Sequence, residues 1–339
     1  MLLVVNAGSS SLKMALFDMR PEQRAEARLE RIGIGGAPDH LTALQQGLAQ
    51  MQVSPGDLAG AAHRVVHGGT ALTAPARLTP QVIDRIEACV PLAPLHNPAN
   101  LTAIRALAAL APDLAQFASF DTAFHASNPE VARRYALPPQ AEALGLRRYG
   151  FHGISYAALV DRLRQAGPLP RRLLALHLGN GASLCAILDG ASVATTMGYS
   201  PLSGLTMGTR AGDIDGNAVL RLAEELGLAE AGRILNRASG LLGLGGASDL
   251  RELAAAGTDA ARFALDHFAY WAVRHAGSMV AAMGGLDALA FTGGIGENDA
   301  AMRDRIVAGL AFLGPVPVLV VPAAEEARIA REALSLIAG

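Results

Sequence analysis

The sequence lacks an excess of either charge. Lys and Arg number 28 against 30 Asp and Glu, which gives a formal net charge of -2, and the basic residues do not gather into runs. Without such runs the chain has no obvious surface for a nucleic acid backbone or an anionic membrane. We therefore expect a small molecule as its partner, and neither nucleic acid nor membrane.

Cysteine is nearly absent. Cys89 and Cys185 lie in apolar stretches, without the spacing of a metal or redox motif. Isolated cysteines of this kind are typical of buried thiols in a reducing compartment, rather than of a disulfide.

Long apolar runs are also missing. LTAIRALAALA, the most apolar stretch of the first half, is interrupted by Arg105, and Met1 leads directly into a strand pattern with no basic segment before it. Neither a membrane span nor an export signal has this composition. The sequence predicts a soluble, cytoplasmic protein.

Several catalytic signatures do not occur. There is no G-x-x-x-x-G-K-[ST] loop, no G-x-G-x-x-G between a strand and a helix, and no zinc-type ligand spacing. Ser203, in PLSGL, lacks the preceding glycine of a hydrolase nucleophile elbow. If the protein binds phosphate, another device must hold it.

The chain does contain an internal repeat, and 339 residues suffice for two domains. LLVVNAGSSSLKMALFD from Leu2 resembles LALHLGNGASLCAILDG from Leu174, an offset of 172 that sets Ser11 on Ser183. Each copy predicts a hairpin with a turn of small residues. We expect two related lobes, each offering its turn to a common cleft; two unrelated hairpins are the alternative.

The offset of 172 also indicates which polar residues of the first hairpin have no polar counterpart in the second. It sets Asn6 opposite Leu178 and Lys13 opposite Cys185. The chemistry of the first turn is therefore expected to rest on Asn6 and Lys13.

Strand and helix patterns alternate along the rest of the chain, which predicts an α/β fold. Strand patterns cover residues 61–69, 117–124, 191–196, 286–294 and 317–322. Helix patterns include TPQVIDRIEACV, NPANLTAIRALAALAP, GNAVLRLAEELG and AARFALDHFAYWAVRHAGSMVAAMG. The proline-rich, basic stretch at residues 163–172 predicts a surface connector before the second hairpin.

Three glycine-rich turns follow predicted strands, at residues 8–11, 179–181 and 293–296. Glycine lets backbone N–H groups approach an anion closely because it has no side chain and tolerates positive φ. Each turn alone is better explained as a plain tight turn, but three in one chain favour phosphate binding.

Polar side chains stand out at the predicted strand ends, where the cleft of an α/β protein collects its ligands. They are His63, Arg64, His67, His96, Asp121, His125, His152, His177 and Arg210. A single residue of this kind is commonly a hydrogen-bonded core histidine or a buried ion pair. Together they favour an anion and a divalent metal as guests.

These motifs, in this order, resemble the acetate kinase family of the acetate and sugar kinase, Hsp70 and actin superfamily. The matching stretches are VVNAGSSSLK, HRVVHGG, PLAPLHNP, FDTAFH, YGFHGIS, HLGNGAS, MGYSPLSGLTMGTRAGDID, SGLLGLGGASDLR and FTGGIGEN. The resemblance implies two lobes with duplicated ribonuclease H-like cores and a cleft between them. The implied boundaries are 1–124 for the N-terminal lobe, completed by a helix at 325–339, and 125–324 for the nucleotide-binding lobe.

The resemblance implies reversible phosphoryl transfer between ATP and acetate, giving acetyl phosphate and ADP. It further implies Mg²⁺ as cofactor, with Mn²⁺ as an alternative, and a homodimer.

Roles for individual residues follow from the same resemblance. The implied catalytic residues are Arg64, Asp121, His152 and Arg210, of which His152 and Arg210 stabilise the transition state. The substrate carboxylate is held by Arg64, and its methyl group lies among Val66, Leu95, Phe151 and Pro201. Asn6 and Glu325 lie beside the metal. The implied ATP-binding residues are Lys13, His177, Asn180, Gly181, Asp249, Leu250, Arg251, Gly293, Gly294, Ile295, Gly296 and Asn298.

Physical chemistry agrees with these roles. A carboxylate nucleophile is already ionised near neutral pH, so the site needs no general base and must instead bring two anions together. The planar guanidinium groups of Arg64 and Arg210 suit carboxylate and phosphoryl oxygens.

Two alternatives stay open. One methylene changes binding in an apolar pocket by only about 1–3 kcal/mol, so a propionate or butyrate kinase is not distinguished from an acetate kinase. A nucleotide clamp that works by domain closure is the second, but it would not need Arg64, Arg210 and His152.

Overall fold

Apolar stretches form the strands of two sheets in the computed structural model, which describes residues 1–338. The strands are β1 (Leu2–Ala7), β2 (Ser11–Phe17), β3 (Gln23–Glu30), β4 (Gly60–Val65), β5 (Ala76–Arg77), β6 (Gln116–Phe120), β7 (Arg172–Leu178), β8 (Ala182–Leu188), β9 (Ala191–Thr195), β10 (Ala288–Thr292) and β11 (Val318–Val320).

Helices alternate with these strands. They are α1 (His40–Gln50), α2 (Pro80–Ala88), α3 (Asn97–Leu110), α4 (Glu130–Arg133), α5 (Pro139–Glu142), α6 (Gly153–Ala166), α7 (Gly216–Leu226), α8 (Leu228–Arg237), α9 (Gly240–Gly245), α10 (Leu250–Ala256), α11 (Asp259–Met283), α12 (Gly293–Asn298), α13 (Ala300–Gly309) and α14 (Glu325–Ala338).

The chain divides into two units, and each is described by itself. The first contains Met1–Ala126, Gly153–Ala158 and the residues from 324 to 338, so the C-terminal helix α14 returns to it. The second contains Ser127–His152 and Leu159–Ala323.

The first unit is a sheet with helices on both faces. Its strand order is β3-β2-β1-β4-β6-β5, with β1 to β3 antiparallel and β4 and β6 parallel to β1. Alternate residues of β1 point to opposite faces: Leu3 and Val5 pack under α1 and α3, whereas Leu2 and Val4 pack under α14. Because both faces are covered, this strand is a continuous apolar run rather than an alternating one.

The second unit repeats this topology. Its strand order, read as β9-β8-β7-β10-β11, is again a three-stranded antiparallel meander followed by two parallel strands. The 25-residue helix α11 packs on β7, β8 and β9. The predicted α/β fold, with its duplicated core and a hairpin opening each half, is confirmed.

The register of the hairpins corrects the offset of 172. In the first hairpin Ala7 pairs with Leu12 across four residues, whereas in the second Leu178 pairs with Ala182 across three. Because the second turn is one residue shorter, no single offset holds on both sides of it.

When the last rung of each hairpin is matched, the counterparts change. Asn6, which pairs with Lys13, then corresponds to His177, which pairs with Ser183. The predicted equivalences of Asn6 with Leu178 and of Lys13 with Cys185 therefore cannot both hold, because Asn6 pairs with Lys13 but Leu178 does not pair with Cys185.

Two predicted irregular segments turn out to be partly helical. Helix α6 continues to Ala166, so only residues 167–171 form the connector expected at 163–172. The glycine-rich stretch at 293–296, predicted as a turn, opens α12, which directly follows β10. Glycine has poor helix propensity, and tertiary context overrides it here.

Among residues 1–338 we find no helix with the length and hydropathy needed to span a bilayer.

Both cysteines are free and buried, which generates a prediction. Burial raises the pKa of the Cys89 thiol, and it raises that of Cys185 to about 12. Since the thiolate is the reactive form, we expect neither cysteine to react with dithionitrobenzoate at about pH 8 in the native protein, and both to react in denaturant. The measurement is the absorbance of the released thionitrobenzoate, followed by stopped flow. If Cys185 reacted at a higher rate than that of global unfolding, its burial would be contradicted.

Candidate active site

Arg64 is fixed at the carboxyl ends of two neighbouring parallel strands of the first unit. It lies on β4, and Asp121 follows β6 directly. The Asp121 backbone N–H donates to the Val65 carbonyl at 3.1 Å, which continues the ladder past the end of β6. Arg64 Nη2 lies 2.7 Å from Asp121 Oδ2, and Nε lies 3.2 Å from both carboxylate oxygens. The edge of the guanidinium formed by Nε and Nη2 is therefore hydrogen-bonded to Asp121, whereas Nη1 points away from this carboxylate.

Other oxygen atoms surround the second edge of this guanidinium. Arg64 Nη1 lies 3.5 Å from Oδ1 of Asn6, on β1, and 3.8 Å from Oε2 of Glu325, the first residue of α14. The next residue, Glu326, pairs with Lys13 Nζ at 2.8 Å. The structure thus brings Asn6, Arg64, Asp121 and Glu325 together, and it engages Lys13 in an ion pair.

The titration of this group follows from burial and charge. Burial works against the positive charge of Arg64, but Asp121, Glu325 and Glu326 outweigh it and raise the Arg64 pKa above its usual range. Burial also raises the pKa of Asp121, although the neighbouring guanidinium opposes that rise. Arg64 consequently stays cationic at every working pH.

The apolar residues expected around the substrate methyl group differ in exposure. In the first unit Val66 follows β4 and is 8% exposed, whereas Leu95 is 45% exposed. In the second unit Phe151 is buried and Pro201 is half-buried.

His152 anchors the candidate site of the second unit. It precedes α6 with φ 59°, in the left-handed region that non-glycine residues seldom occupy. Its Nδ1 lies 2.9 Å from Ser183 Oγ on β8, and its ring stacks on that of His177 with centroids 4.1 Å apart. A strained backbone held by such contacts is a common feature of functional sites.

Arg210 lies beside His152, in the loop between β9 and α7. Its Nη1 donates to the Pro201 carbonyl at 2.5 Å. Burial lowers its pKa to about 10, and no carboxylate among residues 1–338 pairs with it. Buried cations are normally paired, so this guanidinium is suited to receive an anion.

Gly181 allows this approach. A Cβ atom on Gly181 would lie 2.5 Å from Arg210 Nη2 and 3.2 Å from His152 Nε2. Only a residue without a side chain leaves both groups where they are.

A cavity of about 760 Å³ opens beside this group in the second unit. Seven of the expected ATP-binding residues line it: Asn180, Asp249, Leu250, Arg251, Gly294, Ile295 and Asn298. Its volume lies in the range of small-molecule and cofactor sites. The other expected residues do not line it, and these are Lys13, His177, Gly181, Gly293 and Gly296.

Five further residues line the cavity that are not among the expected ATP-binding residues: Gly179, Ser248, Ala254, Asp299 and Ala300. Gly179 and Ser248 lie within the quoted stretches HLGNGAS and SGLLGLGGASDLR. Most are chain neighbours of expected residues. Ala254 lies one turn beyond Leu250 on α10, so helical spacing was the signal that could have found it.

Asp249 and Arg251 form a polar pair at the start of α10. Asp249 caps the helix by accepting from the Arg251 N–H at 2.8 Å, and its carboxylate also receives Arg251 Nη2 at 2.6 Å. These hydrogen bonds lower the pKa of Asp249 to about 2. Together with Arg251 the carboxylate forms an ion pair without net charge, which suits the sugar or base side of a nucleotide.

Glu297, which lies in FTGGIGEN but is not among the expected site residues, fixes α12, the helix that supplies Gly294, Ile295 and Asn298 to the cavity. Its Oε1 accepts from the Gly293 N–H at 3.0 Å and from the Ala323 N–H at 2.9 Å. One carboxylate oxygen thus holds the start of α12 to the last residue of the second unit.

Comparisons with known proteins find relatives over most of the chain. The model of the acetokinase family matches residues 36–318. The acetate kinase of Micrococcus luteus is 41% identical, with all of each chain covered.

Solved structures extend the likeness to the fold. The acetate kinase of Porphyromonas gingivalis shares 35% identity over 99% of each chain, with a TM-score of 0.90. A propionate kinase from Francisella tularensis shares 33% identity over 98% of each chain, with a TM-score of 0.91.

The cavity itself generates a prediction. Ala254→Trp places an indole in the cavity, and we expect ATP affinity to fall by about tenfold or more because the ring occupies the nucleotide volume. Ala255→Trp, at the next position of α10 and also exposed, is the matched control. Titration calorimetry with ATP provides the measurement, and equal affinities in the two variants would exclude this cavity as the nucleotide site.

Proposed function

The chain belongs to the acetokinase family, and we propose that it transfers the γ-phosphoryl group of ATP reversibly to acetate, giving acetyl phosphate and ADP. The observation that carries this proposal is the half-buried guanidinium of Arg210, which lies beside His152 without a carboxylate partner among residues 1–338. A cation in that state can stabilise a transferring phosphoryl group.

The reaction needs little acid–base chemistry. A carboxylate oxygen of acetate attacks the γ-phosphorus, the bond from that phosphorus to the bridging oxygen breaks, and the electron pair leaves with ADP. Because acetate is ionised near neutral pH, no proton has to be removed from it. Catalysis therefore consists of positioning and of stabilising spread negative charge.

Arg64 holds the acetate carboxylate in this proposal. Asp121 occupies one edge of its guanidinium, so the other edge remains for the substrate. Asp121 also orients the group, since a two-point ion pair permits little rotation. Asp121 is thus a residue that places both the substrate and the metal.

Arg210 and His152 act on the transferring phosphoryl group. The Pro201 carbonyl fixes Arg210 and Ser183 fixes His152, so neither side chain has to be ordered during the reaction. Preorganised donors of this type contribute most where charge develops in the transition state.

The nucleotide occupies the cavity of the second unit. Asn180 and Gly181 lie on the phosphate side with His177, and Asp249, Leu250 and Arg251 lie on the adenosine side. Gly293, Gly294, Ile295, Gly296 and Asn298 form the adjoining wall. Lys13, which pairs with Glu326, serves as a phosphate neighbour only if ATP displaces that carboxylate.

Magnesium is the expected cofactor, with Mn²⁺ as an alternative. Among residues 1–338 no cluster of three or more His, Cys, Asp or Glu could hold a metal ion. Mg²⁺ does not need one, because it keeps several waters and binds through one or two carboxylates together with substrate phosphates. The oxygen donors of Asn6 and Glu325 fit this chemistry, and the ion would neutralise phosphate charge.

Propionate is the alternative acceptor, because a propionate kinase is among the similar structures. Val66, Leu95, Phe151 and Pro201 supply the apolar surroundings of the methyl group in either case. A methylene changes binding by only about 1–3 kcal/mol, so kinetics must decide between the acids.

A homodimer is part of the proposal. Large apolar side chains are exposed on three helices of the second unit, and they are Leu220, Leu226, Leu228, Phe263 and Tyr270. Exposed apolar side chains in this number support burial against a second copy. An ATP-dependent reaction and two free thiols support a cytoplasmic enzyme.

The first test of this function is chemical. Protein, ATP, Mg²⁺, a carboxylic acid and hydroxylamine are combined, and acyl hydroxamate is measured by its iron complex. We expect product with acetate, and the highest kcat/KM for acetate among acetate, propionate and butyrate. A higher value for propionate would make the protein a propionate kinase, and ATP binding without product from any acid would leave only a nucleotide clamp.

The second test removes the two cations. Arg64→Ala and Arg210→Ala should each lower kcat by about 10²- to 10³-fold, as the loss of an oxyanion donor does in other enzymes. Arg105→Ala, which removes an exposed arginine of α3, is the control and should retain activity. Near wild-type kcat in either site variant would remove that arginine from the mechanism.

A further inference from the structure

Two buried asparagines on one turn of α3 contact the strand ends that carry the candidate residues of the first unit. Asn97 and Asn100 are 0% and 2% exposed, and α3 packs against β1 and β4. A buried amide is costly unless its donors and its acceptor are bonded. The hydrogen-bond partners of these two amides therefore indicate which backbone segments each side chain holds together.

Asn100 bridges two strands that have stopped pairing. The parallel ladder of β1 with β4 ends at the pair of Val5 and His63. Beyond that rung, Asn100 Oδ1 accepts from the Val66 N–H at 3.1 Å and Nδ2 donates to the Ala7 carbonyl at 2.9 Å. The side-chain amide thus takes the place that a peptide group has inside a sheet.

The two bridged residues flank the candidate site. Ala7 follows Asn6, and Val66 comes two residues after Arg64. Arg64 Nη1 and Asn6 Oδ1 lie 3.5 Å apart. A single amide thereby sets the separation between the strand that carries Asn6 and the strand that carries both the guanidinium and one wall of the methyl pocket.

Asn97 has the same chemistry but a different reach. Its Oδ1 accepts from the His67 N–H at 3.1 Å, and its Nδ2 donates to the carbonyls of His67 at 3.0 Å and Ile86 at 3.3 Å. These bonds join α3 to the segment after β4 and to the end of α2. None of them involves β1, so Asn97 is equally buried without bridging the two strands.

We propose that Asn100 is a positioning residue for the carboxylate substrate. It fixes the gap between the ends of β1 and β4, and through that gap the relative placement of Asn6, Arg64 and Val66. This inference rests on the proposed function, because it concerns how the carboxylate is received. Asn100 itself does not contact the reacting atoms.

Asn100→Asp is the sharpest variant. It keeps the side-chain volume and the acceptor for Val66, but a carboxylate oxygen replaces the donor that faces the Ala7 carbonyl. We expect the KM for acetate to rise about 10- to 100-fold, since small misplacements at a reacting centre have effects of that size. The ratio of kcat/KM for acetate to that for propionate should also change, because Val66 moves with its backbone.

The affinity for ATP without Mg²⁺ serves as an internal control. The nucleotide cavity belongs to the second unit and metal-free ATP does not need Asn6, so the dissociation constant from titration calorimetry in EDTA should stay within about twofold of wild type. Asn97→Asp is the matched variant: we expect a similar fall in Tm, with the acetate KM within about twofold of wild type.

Two kinetic outcomes would overturn the proposal. In the first, the acetate KM rises equally in Asn100→Asp and Asn97→Asp. In the second, Asn100→Asp lowers Tm and kcat without changing the acetate KM. If Asn100→Asp does not fold, Asn100→Ser, whose hydroxyl can replace only one of the two bonds, carries the same expectation. Failure of both to fold, while Asn97→Asp folds, would make Asn100 purely structural.

Wild-type protein is measured in the same assays, so that failure of the proposed function can be distinguished from failure of the role proposed for Asn100. Absence of acyl hydroxamate in the wild type contradicts the proposed function. A change confined to the Asn100 variants reports on the amide alone.

Discussion

The structure depends on keeping two half-buried arginine side chains charged. The two units solve this differently. Arg64 is surrounded by oxygen atoms, and Asp121 and Glu325 raise its pKa against the effect of burial. Arg210 has a carbonyl as its bonded neighbour, and burial lowers its pKa to about 10. The first is a cation with its charge largely compensated, whereas the second gains most from an incoming anion.

The duplicated sheet explains why such residues occur at these positions. Parallel strands end at the same edge, so side chains at the ends of β4 and β6 meet even though Arg64 and Asp121 are 57 residues apart in the chain. The hairpin that opens each sheet carries a pair of polar residues at its penultimate rung. The pair is Asn6 and Lys13 in the first unit and His177 and Ser183 in the second, so the first strand of the hairpin presents an amide in one copy and an imidazole in the other.

Much of this could be predicted from sequence, because both hairpins, the buried strands and the helix starts have strong local signals. The failures have physical causes. Turn length is not encoded in apolar periodicity, so the sequence did not reveal that the second turn is one residue shorter and that His177 is the counterpart of Asn6. The glycines from 293 onward form a helix only because packing overrides propensity. Ala254 and the bridging amide of Asn100 carry no motif, and only the folded chain shows what they contact.

Under the proposed function, loss of Arg64 and loss of Arg210 impair one and the same phosphoryl-transfer step. A double-mutant cycle on kcat for acetyl hydroxamate tests it most directly, using each alanine variant and the double variant. The effects of removing groups that act together on one step are strongly non-additive. We therefore expect kcat of the double variant to be little lower than that of the worse single variant. If the two losses multiplied in full, the two arginines would act independently, and the claim would be contradicted.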